Sequence, residues 1–283
     1  PGADPLIFPL NKPVLIAGSR TLAAKLGETG TLPQALDSIF DQIGAVVIVV
    51  RINEEIAAPA TLANVIGGVD ANTGTYEGVH AFLASENITG FVPNILIAPG
   101  FTHTRTEAVD ETPATSNPVV AELIGIAERL KAVIVADGPN TNDADAIAYS
   151  EDFGSKRVFL VDPKVLKSVD GETSQEWASA CVAGLIAKSD NERGWWWSPS
   201  NQEINGIVGT ARAIDFAMGD ANCRANLLNE KNIATIIRQQ GYRLWGNRTL
   251  SADSKWAFLC VVRTADMIDE SLKAAHLWAV DRG

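Results

Sequence analysis

The chain has 283 residues, 46% of them hydrophobic and 20% charged, with a formal net charge of −11. That length suits one large α/β domain or two smaller ones with a sizeable core. The acidic balance disfavours nucleic acid and anionic membrane surfaces as partners, and no apolar run reaches the roughly 18 residues of a membrane helix.

In chain order, residues 13–18 read as a short buried strand. Thr31 is the expected N-cap of a helix with Pro33 in its first turn, an apolar stripe of Leu36, Ile39, Phe40 and Ile43, and Gly44 as its end. Residues 45–52 are the clearest strand, apolar enough to be covered on both faces in a parallel or mixed central sheet. Residues 53–76 read as a polar surface excursion, 76–86 as a helix carrying Val79, Phe82 and Leu83, and 94–98 as another buried strand. Helices at 118–130 and 142–150 then alternate with strands at 132–136 and 156–161. Such alternation predicts a doubly wound α/β fold, a central mixed and largely parallel sheet flanked by helices.

Beyond residue 170 the texture changes to α+β. A helix is expected at 174–187, then three tryptophans, short strands or turns over 204–216, and a short helix at 222–228. Ile233, Ile236 and Ile237 form the outgoing arm of a β-hairpin, 239–241 its turn, and Tyr242, Leu244 and Thr249 its return, with Gly246 and Asn247 marking a bulge or a positive-φ position. A strand at 257–262 and a last helix from about residue 264, with Met267, Ile268, Leu272, Ala275 and Leu277 as apolar contacts, complete the chain. This divides the chain into an α/β sheet domain, 1–170, and an α+β continuation, 171–283.

No opening segment pairs a basic region with an apolar one, so no signal peptide is read. Cys181, Cys223 and Cys260 lie far apart in apolar neighbourhoods, which argues against a disulfide framework or zinc site and for folding in a reducing cytoplasm. Charge is uneven. Residues 220–263 hold seven basic and three acidic side chains, whereas 137–155 hold five acids and no base. These are solvated faces or the complementary patches of a self-assembling subunit.

A doubly wound sheet directs attention to the loops after its strands. Residues 17–20 are not a dinucleotide fingerprint, and neither a phosphate-binding loop nor a hydrolase elbow occurs. His103 follows a strand end, where a catalytic group would stand, but no nucleophile is identified for it; His80 and His276 fall in expected helices. Asp137, Asn142, Asp143 and Asp145 crowd a helix start, where capping and the helix dipole explain acids better than a metal does. Trp195, Trp196 and Trp197 cannot all face inward, and with Asp143, Asp145 and Arg238 they are candidate interface residues. Arg243 and Arg248 suit acids or rings better than phosphate. No catalytic, cofactor-binding or metal-binding constellation emerges.

One stretch is more specific. Gly241, Tyr242, Arg243, Leu244, Trp245, Gly246, Asn247, Arg248 and Thr249 closely resemble the signature G-[FY]-R-L-W-G-N-R-T of contractile tail sheath proteins, found in contractile-tailed phages and R-type, pyocin-like tailocins. Phe-Val-Pro-Asn-Ile-Leu-Ile-Ala-Pro-Gly at 91–100 and Gly-Trp-Trp-Trp-Ser-Pro-Ser-Asn at 194–201 fit the same family, and the likeness runs from about Pro9 to the end.

The resemblance implies a structural subunit without enzymatic activity or cofactor. Its partners would be other copies of itself in a helical sheath, an inner tail tube protein, a baseplate and a tail terminator. Contraction would drive the tube through a cell envelope. Assembly would take place in the bacterial host cytoplasm, and the product would be part of a virion tail or tailocin particle. The nine signature residues carry over as structural only. The family exchanges terminal arms that add strands to a neighbour's C-terminal domain; these 283 residues read as a truncated core without them, expected to be monomeric. An α/β enzyme with an unrecognised site and a type VI secretion sheath component are the alternatives.

Overall fold

The computed structural model describes residues 2–106, 115–169 and 171–280, so the outermost residues of the two ranges proposed above lie outside it. β1 (Pro13–Ala17) leads through α1 (Arg20–Ala23) and α2 (Thr31–Phe40) to β2 (Val46–Val50), its antiparallel partner. α3 (Ala58–Ile66), a small ribbon of β3 (Gly68–Val69) and β4 (Tyr76–Glu77), a 3-10 segment (Gly78–Ala84) and α4 (Ser85–Thr89) follow. β5 (Ile95–Leu96), α5 (Pro118–Leu130), β6 (Val133–Asp137), α6 (Asp143–Ser150) and β7 (Val158–Val161) then alternate. β8 (Val165–Val169), β9 (Glu172–Glu176) and, beyond α7 (Ala178–Arg193), β10 (Gly209–Thr210) form an antiparallel three-stranded sheet. α8 (Arg224–Glu230), β11 (Ile233–Arg238), β12 (Tyr242–Trp245) and α9 (Leu259–His276) close the chain. No described helix is long and apolar enough to cross a membrane.

The main sheet has the order β12-β11-β7-β6-β5. All its pairings are parallel except that of the hairpin, β11 with β12. This is the expected architecture. Every residue of β6 and β7 is buried, as a strand covered on both faces requires. Their side chains alternate: Ile134, Ala136, Val158 and Leu160 meet Leu123 and Ile126 of α5 on one face, while Val133, Val135, Phe159 and Val161 meet Val182, Leu185 and Ile186 of α7 on the other. Helix α5 starts where the local chemistry demands: Asn117 caps the Val120 N–H at 2.9 Å, and Pro118 occupies the first turn.

Several elements depart from expectation. The 45–52 strand is not in the central sheet; β2 pairs with β1, Arg51 bridges to Leu10 beyond it, and Val46 is 53% exposed. Its apolar character serves one side against Leu36, Ile39 and Phe40, and its other edge is open. α2 is preceded by Gly30 rather than capped by the Thr31 side chain, and it ends at Phe40, ahead of Gly44. The 76–86 helix breaks into strand, 3-10 and a short helix, because Gly78 has φ +57° and sits against α3, where a Cβ would stand 2.4 Å from the Val65 carbonyl oxygen. Residues 174–176 belong to β9, which delays α7 to Ala178. The 257–262 strand is the first turns of α9, with Leu259 and Val262 buried three residues apart; a short apolar run fits either period. Thr249 lies beyond β12, outside the hairpin ladder.

One buried charge locks the layers. The Arg157 guanidinium, fully buried, pairs with Asp266 of α9, with Glu128 of α5 at 3.1 Å, and with the Ala132 carbonyl at 3.3 Å. Removing its nearest partner leaves a buried cation short of compensation. Asp266→Ala is therefore expected to lower unfolding stability by about 3 kcal/mol, and Arg157→Met, which removes charge and keeps volume, by less; urea unfolding of both variants measures the difference.

Candidate functional site

Asp137 ends β6, fully buried. Its Oδ1 accepts from the Ser179 N–H at 2.8 Å, and its Oδ2 accepts from the Ser179 hydroxyl at 2.7 Å and the Thr102 hydroxyl at 3.4 Å. Burial outweighs these hydrogen bonds and pushes the carboxyl up to about 6. His103 lies against the Trp177 indole, ring centroids 4.0 Å apart, and the Lys164 ammonium sits 3.7 Å from the centroid of that indole. Burial first, and the Lys164 charge second, lower His103 to about 4, so the imidazole is neutral at pH 7.

The Ser179 hydroxyl is thus committed to Asp137, and the described hydrogen bonds include none from it to His103. A nucleophile needs its base within hydrogen-bond reach, and this arrangement instead pins the start of α7 and the 101–103 loop to the end of β6. The acids at α6 are equally occupied. Asp143 receives Arg224 through Nε and Nη2, both at 2.9 Å, and Arg212 at 2.5 Å; these cations, Arg224 first, hold it below the usual carboxylate range. Asp145 accepts from Thr141 and Asn142, and Asn142 caps the Asp145 N–H in return. Among the described residues, no group of three or more His, Cys, Asp or Glu is placed to hold a metal ion.

Residues 241–249 act as a stitch. The Tyr242 hydroxyl donates to the Val208 carbonyl at 2.6 Å, and Arg243 donates to the carbonyls of Gln239 and Asn201 at 2.9 and 2.8 Å. Leu244 is fully buried in the core beneath α7. The Trp245 indole N–H donates to the Asn226 side-chain oxygen at 3.0 Å, which ties β12 to α8. Gly246 has φ +144°, and a Cβ there would lie 2.8 Å from the Cα and Cβ of Ala234 in β11. The positive φ falls on Gly246 and not on Asn247. Asn247 accepts the Leu259 N–H at 2.8 Å on its carbonyl, Arg248 stacks over Phe258 at 5.2 Å, and the Thr249 hydroxyl donates to the Trp256 carbonyl at 2.7 Å. Tyr242, Arg243, Trp245, Asn247, Arg248 and Thr249 therefore join the sheet edge to the loops and helices around it, while Leu244 and Gly246 pack into the sheet itself.

Other singled-out residues lie on the surface. Trp196 and Trp197 are 54% and 47% exposed, while Trp195 meets Trp196 edge-on, centroids 4.9 Å apart. Arg193 stands 5.3 Å over Trp197, and exposed Arg238 at the end of β11 stands 5.9 Å over Tyr242. The expected apolar contacts of α9 are not made: Met267, Ile268, Leu272 and Leu277 are exposed, as is Trp278. Their periodicity marks a helix face, and a sequence pattern does not show whether a partner covers it.

The phage tail sheath protein central domain matches residues 74–250, and the tail sheath protein Gp18 domain III N-terminal region matches residues 1–52. The chain belongs to the phage tail sheath family. It is 45% identical over 285 residues to a putative prophage major tail sheath protein of Pseudomonas aeruginosa (strain UCBPP-PA14), covering 100% of this chain and 70% of that protein. It is 35% identical over 290 residues to the tail sheath protein of Escherichia phage P2, covering 99% and 69%. The fold resembles the anti-feeding prophage helical sheath in its contracted state, with TM-score 0.65, 21% identity and coverage of 100% and 69%. It also resembles the sheath complex of an extracellular contractile injection system, PVC, in its contracted state, with TM-score 0.63, 17% identity and coverage of 98% and 66%.

Within this sheath body, Gly246→Ala is expected to cost about 3 kcal/mol, from strained φ and the clash with Ala234; chemical denaturation measures it, and an unchanged midpoint would remove the stitch from the account. The Asp137 and His103 pair gives a pH prediction. Asp137 holds its proton more tightly folded than unfolded, so its contribution is present below 3.8 and lost as pH rises through 6. His103 holds its proton less tightly folded, so its contribution is present above 6.5 and lost as pH falls through 4. Relative to the parent, Asp137→Asn should gain stability as pH rises across this window and His103→Gln should lose it, in urea titrations between about pH 4 and 7.

Proposed function

We propose that this chain is the body of a contractile sheath subunit. Copies polymerise helically around an inner tail tube, between a baseplate and a tail terminator, and contract to drive the tube through a cell envelope. The observation that carries this reading is the 45% identity to a prophage major tail sheath protein along the whole chain. Assembly takes place in the bacterial cytoplasm, where the three free cysteines stay reduced.

The physics of the body suits the role. Interfaces and packed cores are bistable rather than continuously deformable, so a collective transition proceeds by rigid subunits exchanging contacts. A sheet buried on both faces and laced by the 241–249 stitch is such a rigid unit. We assign Trp195, Trp196, Trp197 and Arg238 to the contacts between copies; Asp143 and Asp145 are left out of that surface, because Arg224, Arg212, Thr141 and Asn142 of the same chain already occupy them. The work is stored in packing between subunits, so the reaction requires neither a nucleotide nor a cofactor.

Negative-stain electron microscopy of the parent reading frame, expressed with its tube partner, is the test. Striated hollow cylinders are expected there and dispersed monomers from the 283-residue chain alone; dispersed particles in both samples would sink the proposal.

A further inference from the structure

Asn205-Gly206 is the only Asn-Gly pair in the sequence. It forms an exposed turn between Ile204 and Ile207, both buried, just ahead of β10. Gly206 has φ +76°, and a Cβ there would stand 2.6 Å from Oδ2 of Asp41. The turn therefore requires glycine, and with it a backbone nitrogen that no Cβ shields.

One side chain holds the turn. Gln42, buried beyond the end of α2, accepts the Asn205 N–H on Oε1 at 2.8 Å and donates from Nε2 to the Asn205 carbonyl at 2.8 Å. These bonds occupy both backbone groups of Asn205 and leave its side chain and the next nitrogen unengaged. The described backbone hydrogen bonds include none from the Gly206 N–H. The Asn205 side chain donates from Nδ2 to the Asp41 carbonyl at 3.4 Å, near the outer limit for a hydrogen bond. The Asp137-Gly138 pair is the contrast. An Asp-Gly pair can close the same ring, but here the Gly138 N–H donates to the Val161 carbonyl at 2.8 Å, and the buried carboxyl is bonded to Ser179.

We infer that Asn205 is a site of self-modification in the folded protein: the Gly206 nitrogen attacks its side-chain amide carbon, and the residue becomes aspartyl or isoaspartyl. A bond forms between the Gly206 nitrogen and Cγ, the Cγ–Nδ2 bond breaks, and ammonia leaves with the Gly206 amide proton. The product is a five-membered succinimide. Water then opens the ring. Opening at Cγ leaves aspartate in an ordinary main chain, whereas opening at the former backbone carbonyl routes the chain through the side chain and inserts a methylene into it. Nothing is oxidised or reduced, and water is the only co-reactant. Either product adds a negative charge close to Asp41, which already engages Lys167 at 2.8 Å and Arg20 at 3.0 Å. In the isoaspartyl form, the carbonyl that Gln42 grips is a peptide carbonyl no longer and becomes a free carboxylate. The joint between α2 and the 204–207 turn thus loosens as the protein ages. The inference stands apart from sheath assembly.

Peptide mapping by mass spectrometry tests it, after the 283-residue chain is incubated in isotope-labelled water at mildly alkaline pH. The peptide holding Asn205 should lose its amide at least about tenfold faster than those holding the other asparagines, as aspartyl and isoaspartyl forms that each carry one solvent oxygen. Asn205→Gln, which would have to close a six-membered ring, should stay unmodified at this position, and so should Asp137 in the parent. The chain unfolded in urea gives the reference rate. Modification of the unfolded chain alone, with the folded protein unchanged, overturns the inference. Aspartate without isoaspartate indicates direct hydrolysis of the amide and overturns it as well. The isoaspartyl form, separated by anion exchange, should unfold at a lower urea concentration than fresh protein, and equal midpoints overturn the loosening.

Discussion

The constraint on which the rest depends is that β6 and β7 are buried on both faces. A strand with no wet side must meet apolar helices above and below, which fixes α5 and α7, and its polar ends must be satisfied by protein and not by water. Asp137 closes β6 on Ser179 and Thr102, Asp162 lies beyond β7 against Arg212, and Arg157 before β7 turns back to Asp266 and Glu128. Each of these buried polar groups ties a different helix or loop to the same two strands. Removing one partner costs more than the pair contributes net, because the survivor remains desolvated. Polar chemistry at the strand ends is therefore structural, although an enzyme of this fold class would keep its working groups at the same place.

Much of this was legible in the sequence where one physical requirement dominates. The apolar runs at 132–136 and 156–161, each preceded by a helical pattern, read as doubly covered strands, and Pro118 reads as a helix start. The hairpin was legible because Ile233 to Ile237 meets a Gln-Gly turn before Tyr242. Legibility failed where two requirements produce the same pattern. The 45–50 run is as apolar as β6, yet its partner is β1, since pairing is a long-range choice that local hydrophobicity does not encode. At Leu259 to Val262, spacing by three suits a helix, but a run this short suits a strand equally. The polar β9, Glu172–Glu176, carried no strand signal, because its backbone pairing with β8 supplies what its side chains do not.

The candidate site was legible as a motif but not as a mechanism. In the sequence, Tyr242, Arg243 and Trp245 belong to a structural signature, and nothing there names their contacts. In three dimensions their polar atoms reach carbonyls and an amide of the same chain, at Val208, Gln239, Asn201 and Asn226. Arg238, outside the motif, is exposed and carries no described ion pair, which sequence spacing does not distinguish from Arg243 two strand positions from the turn. His103 stands at a catalytic location but is neutral and stacked on Trp177, a state set by burial and by Lys164 across the loop rather than by any neighbour in sequence.

These features separate the molecule into two kinds of surface. Around the central sheet, the buried charges Asp137, Arg157 and Asp162 have partners within the chain, and the side chains of β6 and β7 are covered. At the β2 and β5 edges, on α9 beyond Val262 and at Trp196–Trp197, apolar surface or backbone hydrogen-bonding capacity is open. Contiguous exposed apolar surface and unpaired strand edges are the parts of a protein that associate. A subunit that works by exchanging neighbours needs this division: a body stiff enough to transmit force, and edges whose satisfaction depends on what is placed beside them. The described contacts of the 241–249 stitch are accordingly confined to the body, and in the proposed contraction they would keep the hairpin, α8 and the start of α9 as one piece.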